Sequence, residues 1–115
     1  MPFLKLITNS EIDASKKNQI LAEISDLAAK HTHKPERYVM VHLLDKQTMS
    51  FGGDTAPLAY LECKSIGLDT AQVNALAQAL NHYVSGALGV AGERIYIEFS
   101  NCPAELWAWN GATFG

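Results

Sequence analysis

Met1-Pro2-Phe3-Leu4-Lys5-Leu6-Ile7-Thr8 is the stretch on which the fold turns. Alternation places Leu4, Leu6 and Thr8 on one face of a strand and Phe3, Lys5 and Ile7 on the other. A proline fits the first residue of a strand, where the ladder bond it cannot donate matters least. Only an initiator methionine stands ahead of it, and methionine before so small a residue is commonly trimmed. Trimming leaves Pro2 with a free secondary amine, a base on a rigid ring tied into a sheet. The plainer reading is that Pro2 merely starts a strand.

Working outward, Asn9-Ser10-Glu11 is turn-like, and Asp13 or Ser15 can cap a helix. Ile20, Leu21, Ile24, Leu27 and Ala28 then recur at helical spacing, opposite a face of Lys16, Lys17, Asn18, Glu23 and Asp26. The helix must stop by Lys34, because Pro35 disfavours helical geometry in the residue before it. A strand over Tyr38–Leu44 completes a β-α-β unit. The loop from Asp45 to Pro57 holds Gly52-Gly53, but no Gly-Lys-Ser/Thr follows to make a phosphate loop.

The pattern then repeats. Leu58–Ile66 reads as a strand stopped by Gly67, and Asp69 with Gln72 resembles a capping box. Val73, Leu76, Ala77, Leu80, Val84 and Leu88 form a second apolar stripe, ended by the Gly86 to Gly92 region. Arg94–Ser100 is the fourth strand. It stands about 56 residues after Tyr38–Leu44, an internal duplication of pattern rather than identity. Each helical crossover makes its two strands parallel neighbours. The expectation is one α+β domain over residues 1–115: duplicated β-α-β halves, about 1–45 and 58–100, form a four-stranded mixed sheet with both helices on one face, followed by a tail over 101–115.

The two faces of those strands differ. Val39, Val41, Leu43, Ala59, Leu61, Cys63, Ile95, Ile97 and Phe99 should meet the helices. The reverse face carries Tyr38, Met40, His42, Tyr60, Glu62, Lys64, Tyr96 and Glu98, too aromatic for plain solvent and too charged for a sealed core. Two helices cannot cover both faces, so the reverse face suits contact between copies of the chain. In the tail, Asn110-Gly111 between aromatic-bearing segments signals a two-residue hairpin. Trp107 and Trp109 fall on one face if that segment is extended, as core anchors or as a wall over a pocket.

Composition narrows the function classes. Nine basic against twelve acidic residues give a net charge of −3 with no basic run, which argues against nucleic acid. No apolar run approaches the ~20 residues of a membrane span. The N-terminus lacks the features of a secretory signal, so a cytoplasmic chain with Cys63 and Cys102 as reduced thiols is expected. His31 and His33 read as solvated, His42 as an interface residue and His82 as a helix-surface residue, with no metal site completed.

Pro2, Lys34-Pro35, Val41-His42, Met49-Ser50-Phe51-Gly52-Gly53, Ser65-Ile66-Gly67, Arg94-Ile95-Tyr96-Ile97, Trp109-Asn110 and Thr113-Phe114, in this order and spacing, resemble the macrophage migration inhibitory factor family of the tautomerase superfamily. The resemblance runs nearly the full length. It implies a homotrimer and keto–enol tautomerisation of α-keto acids such as phenylpyruvate, or of dopachrome-like compounds, without a cofactor. Pro2 would be the acid/base, with a pKa near working pH. Lys34 would lower that pKa and hold the substrate carboxylate, although a cation at a helix end also suits the macrodipole. Ser65, Ile66, Tyr38, Tyr96, Glu98, Trp107, Trp109 and Phe114 complete the implied lining, several from a neighbouring subunit.

Two positions depart from the family pattern. Glu98 stands where asparagine is often found, and Trp107 where a small aliphatic residue is common, so slow or narrow activity is expected. The family's C-x-x-C pair is missing, with Leu58-Ala59-Tyr60-Leu61 in its place. Two other classes stay open: a cytokine-like binding protein acting on a receptor, exported without a signal, and a ferredoxin-like oligomer that senses small metabolites.

Overall fold

The alternation of the opening stretch becomes strand β1, Phe3–Thr8, whose residues are half-buried and buried in strict turn. The computed structural model describes residues 1–115. Helix α1 spans Ala14–Thr32, strand β2 Met40–Leu44, strand β3 Ala59–Ser65, helix α2 Thr70–Leu88 and strand β4 Ile95–Asn101. The sheet order is β2-β1-β3-β4, with β1 parallel to β2, β3 parallel to β4, and the two units joined where β1 and β3 run antiparallel at the centre. The expected mixed sheet is therefore present. No helix is long and apolar enough to cross a membrane.

The duplication is closer in space than in sequence. One fixed interval along the chain separates Ala14 from Thr70, Thr32 from Leu88, and the helix-ending residues His33 and Gly89. Asp13 and Asp69 cap the two helices from equivalent places; Asp69 and Gln72 form the reciprocal box the spacing suggested. Both helices present apolar stripes to one face of the sheet. Leu4, Leu6, Ile24, Leu61, Leu76 and Leu80 seal the core between the layers. Cys63 lies in that core, and burial pushes its thiol up to about 12, so it stays protonated at neutral pH.

Three strands begin later than the residue pattern suggests, β3 at Ala59 rather than Leu58, and β2 and β4 each behind a helical turn. Glu36–Tyr38 and Gly92–Arg94 each form one turn of 3-10 helix, so Tyr38 and Arg94 stand outside the ladder. Pro35, at φ −60, sets the first of these turns, in which the Tyr38 N–H donates to the Pro35 carbonyl at 3.0 Å. Arg94 instead reaches across to the 51–57 loop. Its guanidinium donates to the carbonyls of Phe51, Asp54, Ala56 and Pro57 at 3.0 to 3.3 Å. The tail folds as expected, with strands β5, Ala108–Trp109, and β6, Ala112–Thr113, about a turn in which Asn110 and Gly111 both have positive φ.

On the reverse face the strand register lines up His42, Lys5, Glu62 and Glu98 in one row across the sheet. Tyr60 donates its hydroxyl to the Glu62 carboxylate at 3.3 Å. Burial first, and then the charges of Glu62 and Glu98, raise the Tyr60 phenol above its ordinary value. No helix covers this row.

His33 ends α1 at φ 57, a left-handed conformation that glycine adopts without steric penalty and that Gly89 supplies in the second half. His33→Gly is expected to raise the unfolding free energy by up to about 1 kcal/mol, and Gly89→Ala to lower it by a similar amount. Urea unfolding of both variants checks this; an unchanged midpoint in each would show that neither cap limits stability.

Candidate active site

The residues ahead of β1 are held against the segment that leads into β2. The Pro2 carbonyl accepts the Met40 N–H at 3.0 Å, and the Met1 ammonium donates to the Tyr38 carbonyl. Pro2 itself is buried. With Met1 attached, the ring nitrogen of Pro2 is an amide and the chain's free amine belongs to Met1. Partial burial of that amine, and secondly the positive charge of Lys34, hold its pKa below the ordinary 8.0. This corner of the fold therefore disfavours a protonated amine.

A cavity of about 850 Å³ opens beside Met1 and Pro2. Eleven of its sixteen lining residues are hydrophobic, the mix typical of a small-molecule site. Tyr38 lines it and meets Trp109 edge-on at 5.5 Å and Phe114 edge-on at 6.3 Å. The tail is fastened to the sheet by the Cys102 N–H, which donates to the Ser65 carbonyl at 2.7 Å, and is closed on itself by the Phe114 N–H, which donates to the Trp107 carbonyl at 3.0 Å. The Asn101 side-chain oxygen accepts from the N–H groups of Gly67 and Leu68, fixing the turn after β3.

Of the site residues read from sequence, the structure brings Pro2, Tyr38, Trp107, Trp109 and Phe114 to this cavity. Lys34 does not line it, but its charge is felt at the N-terminal amine. Ser65 is fully buried with no hydrogen-bond partner for its hydroxyl, and Ile66 follows it just outside β3 without reaching the cavity wall.

Tyr96 and Glu98 are not part of the cavity within one chain. They share the reverse face with Ser100, which is at the cavity, but two residues of strand span roughly 7 Å, so Tyr96 lies some 13 Å away. Tyr96 instead packs on Phe51, with ring centroids 4.7 Å apart, beside a separate cavity of about 330 Å³.

Sequence reasoning missed Arg37, Lys64 and Cys102 at the wall. Lys64 could have been found, since alternation puts it on the reverse face immediately before Ser65. Arg37 had no comparable signal, because its direction is set by a 3-10 turn rather than by strand periodicity.

The model of the family described as macrophage migration inhibitory factor (MIF) matches residues 1–115. Among curated relatives, a macrophage migration inhibitory factor homolog from Brugia malayi is 37% identical over 116 residues, covering 100% of both chains. Macrophage migration inhibitory factor from Xenopus tropicalis is 33% identical over 115 residues, covering 99% of each. Among solved structures, the homologue from Prochlorococcus marinus superposes with a TM-score of 0.92 at 38% identity, covering 98% of this chain and 99% of that one. The Trichinella spiralis factor gives 0.87 at 33% identity, covering 97% and 99%.

The Met1 amine should titrate below 8.0, and Lys34→Met should move it part of the way back, since burial is the larger cause. Between the lowered value and 8.0 the unfolded chain binds the proton more readily than the folded one, so this group's contribution to stability rises with pH across that window. The pH dependence of N-terminal acylation, followed by mass spectrometry, measures the shift. Identical curves for parent and variant would remove Lys34 as a cause.

Proposed function

The chain belongs to the macrophage migration inhibitory factor family, and on that premise we propose that it is a keto–enol tautomerase of phenylpyruvate-like α-keto acids, acting through the Pro2 amine once Met1 is removed. The observation that carries this reading is the setting of the N-terminus: a buried proline beside an aromatic-walled cavity, where burial and Lys34 both disfavour an ammonium. An unperturbed α-amino group titrates at about 7.7–8.0. A proline amine starts higher, and the same two influences bring it toward the range where one group can both take and return a proton.

In the proposed reaction the neutral Pro2 nitrogen takes a proton from the carbon beside the ketone. The C–H electron pair becomes the carbon–carbon double bond of the enol. The ketone oxygen gains a proton in turn, and the Pro2 nitrogen ends the cycle neutral. Lys34, whose side chain must turn in from outside the cavity wall, holds the substrate carboxylate, and its charge keeps the amine unprotonated. Tyr38, Trp109 and Phe114 face the substrate ring, and Ser65-Ile66, outside the single-chain cavity, offer a backbone N–H where a neighbouring copy extends the site.

A homotrimer completes this site in the proposal. Tyr96 is too far along its own strand to reach the cavity, and Glu98 stands one two-residue step outside it, so both would enter the site from a neighbouring copy. The uncovered reverse face, with basic His42 and Lys5 toward one edge and acidic Glu62 and Glu98 toward the other, suits a head-to-tail ring in which unlike charges meet. Glu98 would favour the protonated amine and slow the reaction. Trp107, already at the wall, narrows the entrance.

Three measurements test this. Protein with Met1 removed should tautomerise phenylpyruvate, and protein retaining Met1 should not, because an amide nitrogen is no base. Glu98→Asn should raise kcat/KM by up to about tenfold, the effect of one pKa unit on the base, and Trp107→Val should raise it through a wider entrance. Equal rates with and without Met1 would remove Pro2 from the mechanism, and no gain in either variant would remove the explanation for slowness.

A further inference from the structure

Arg37 and Lys64 both line the 850 Å³ cavity, and no aspartate or glutamate lines it. In a chain with a net charge of −3 that is an uneven distribution. Neither cation is spent elsewhere. The chain's ion pairs are Lys17 with Asp45 and Lys46 with Glu11, and no side-chain hydrogen bond engages Arg37 or Lys64. Arg37 instead stands with its guanidinium 4.8 Å from the centroid of the Tyr38 ring, part of the cavity's aromatic wall.

The fold brings the two cations to Pro2 from opposite sides. Lys64 sits on β3 directly across from Phe3, the residue after Pro2. Arg37 lies in the turn that leads into β2, on the other flank of β1. Lys34 is a third positive charge acting on the same corner. One α-keto carboxylate needs one of them. A monocarboxylate with an apolar ring would leave Arg37 and Lys64 facing a mostly apolar chamber with no anion between them.

We propose that the cavity is built for a dianionic α-keto acid, in which Lys34, turned in from outside the wall, takes the α-carboxylate, and Arg37 and Lys64, on either side of Pro2, take a second carboxylate between them. This rests on the tautomerase reading and narrows its substrate class. The second anion gains charge-assisted hydrogen bonds from a guanidinium fork and an ammonium. The aromatic walls hold the body between the two charged ends.

The test compares phenylpyruvate with its 3-carboxy and 4-carboxy derivatives on Met1-free protein, by turnover and by calorimetric binding. At least one diacid should show a KM and a Kd about tenfold below phenylpyruvate, a difference of 1.4 kcal/mol. Arg37→Met and Lys64→Met should each shrink that ratio severalfold, and the double variant should bring it near one. Diacids bound no better than phenylpyruvate would overturn the proposal. So would a ratio that both variants leave intact, which would mean that these cations pair with another group, such as the Glu98 of a neighbouring copy. If the diacids bind preferentially and nothing is turned over, the dianion site stands and the tautomerase reading falls.

Discussion

The constraint on which the rest depends is that the first strand of the chain lies inside the sheet. Strand β1 is hydrogen-bonded along one edge to β2 and along the other to β3. A chain terminus ordinarily frays because nothing holds its last few residues. Here the residues following it carry the sealed core positions Leu4 and Leu6, so the end cannot loosen without opening both β-α-β units. An amine placed there is fixed to the precision of the sheet, which is what a proton-transferring group requires.

That placement also sets the electrostatics. The end of β1 is partly dehydrated by the tail that folds over it, and the cations nearby come from three different elements: Lys34 after α1, Arg37 in the turn before β2, and Lys64 in β3. None is close to another in sequence except Lys34 and Arg37. The acidic groups of the same face, Glu62 and Glu98, are displaced by one row along the sheet. Charge is thus sorted by register: a two-residue step along β3 separates Lys64, at the cavity, from Glu62.

Much of this was legible in the residues, and the parts that were not have physical reasons. Period-two alternation gave β1, β3 and β4, capping chemistry gave both helices, and Asn110-Gly111 gave the hairpin. These signals are local, and the structure agrees with them. Tyr38 was misassigned to a strand because a 3-10 turn after Pro35 has no apolar periodicity of its own. The cavity wall was half legible: Pro2 and the tail aromatics were found, but Arg37, Lys64 and Cys102 converge only through strand order, which no local pattern encodes. Tyr96 and Glu98 belong to the reverse face, two steps and one step along β4 from the cavity residue Ser100.

The closure of the tail over the sheet has a practical corollary. Met1 and Phe114 line the same cavity, so the two ends of the polypeptide converge on a single spot. An affinity handle or fluorescent fusion at either end would crowd that spot, whichever end was chosen. A reporter is better spliced into the surface around Thr48, an exposed residue in the loop after β2, at the opposite end of β1 from the cavity. There the chain, having left β2, passes the far end of β1, where Gln47 donates its backbone N–H to the Thr8 carbonyl.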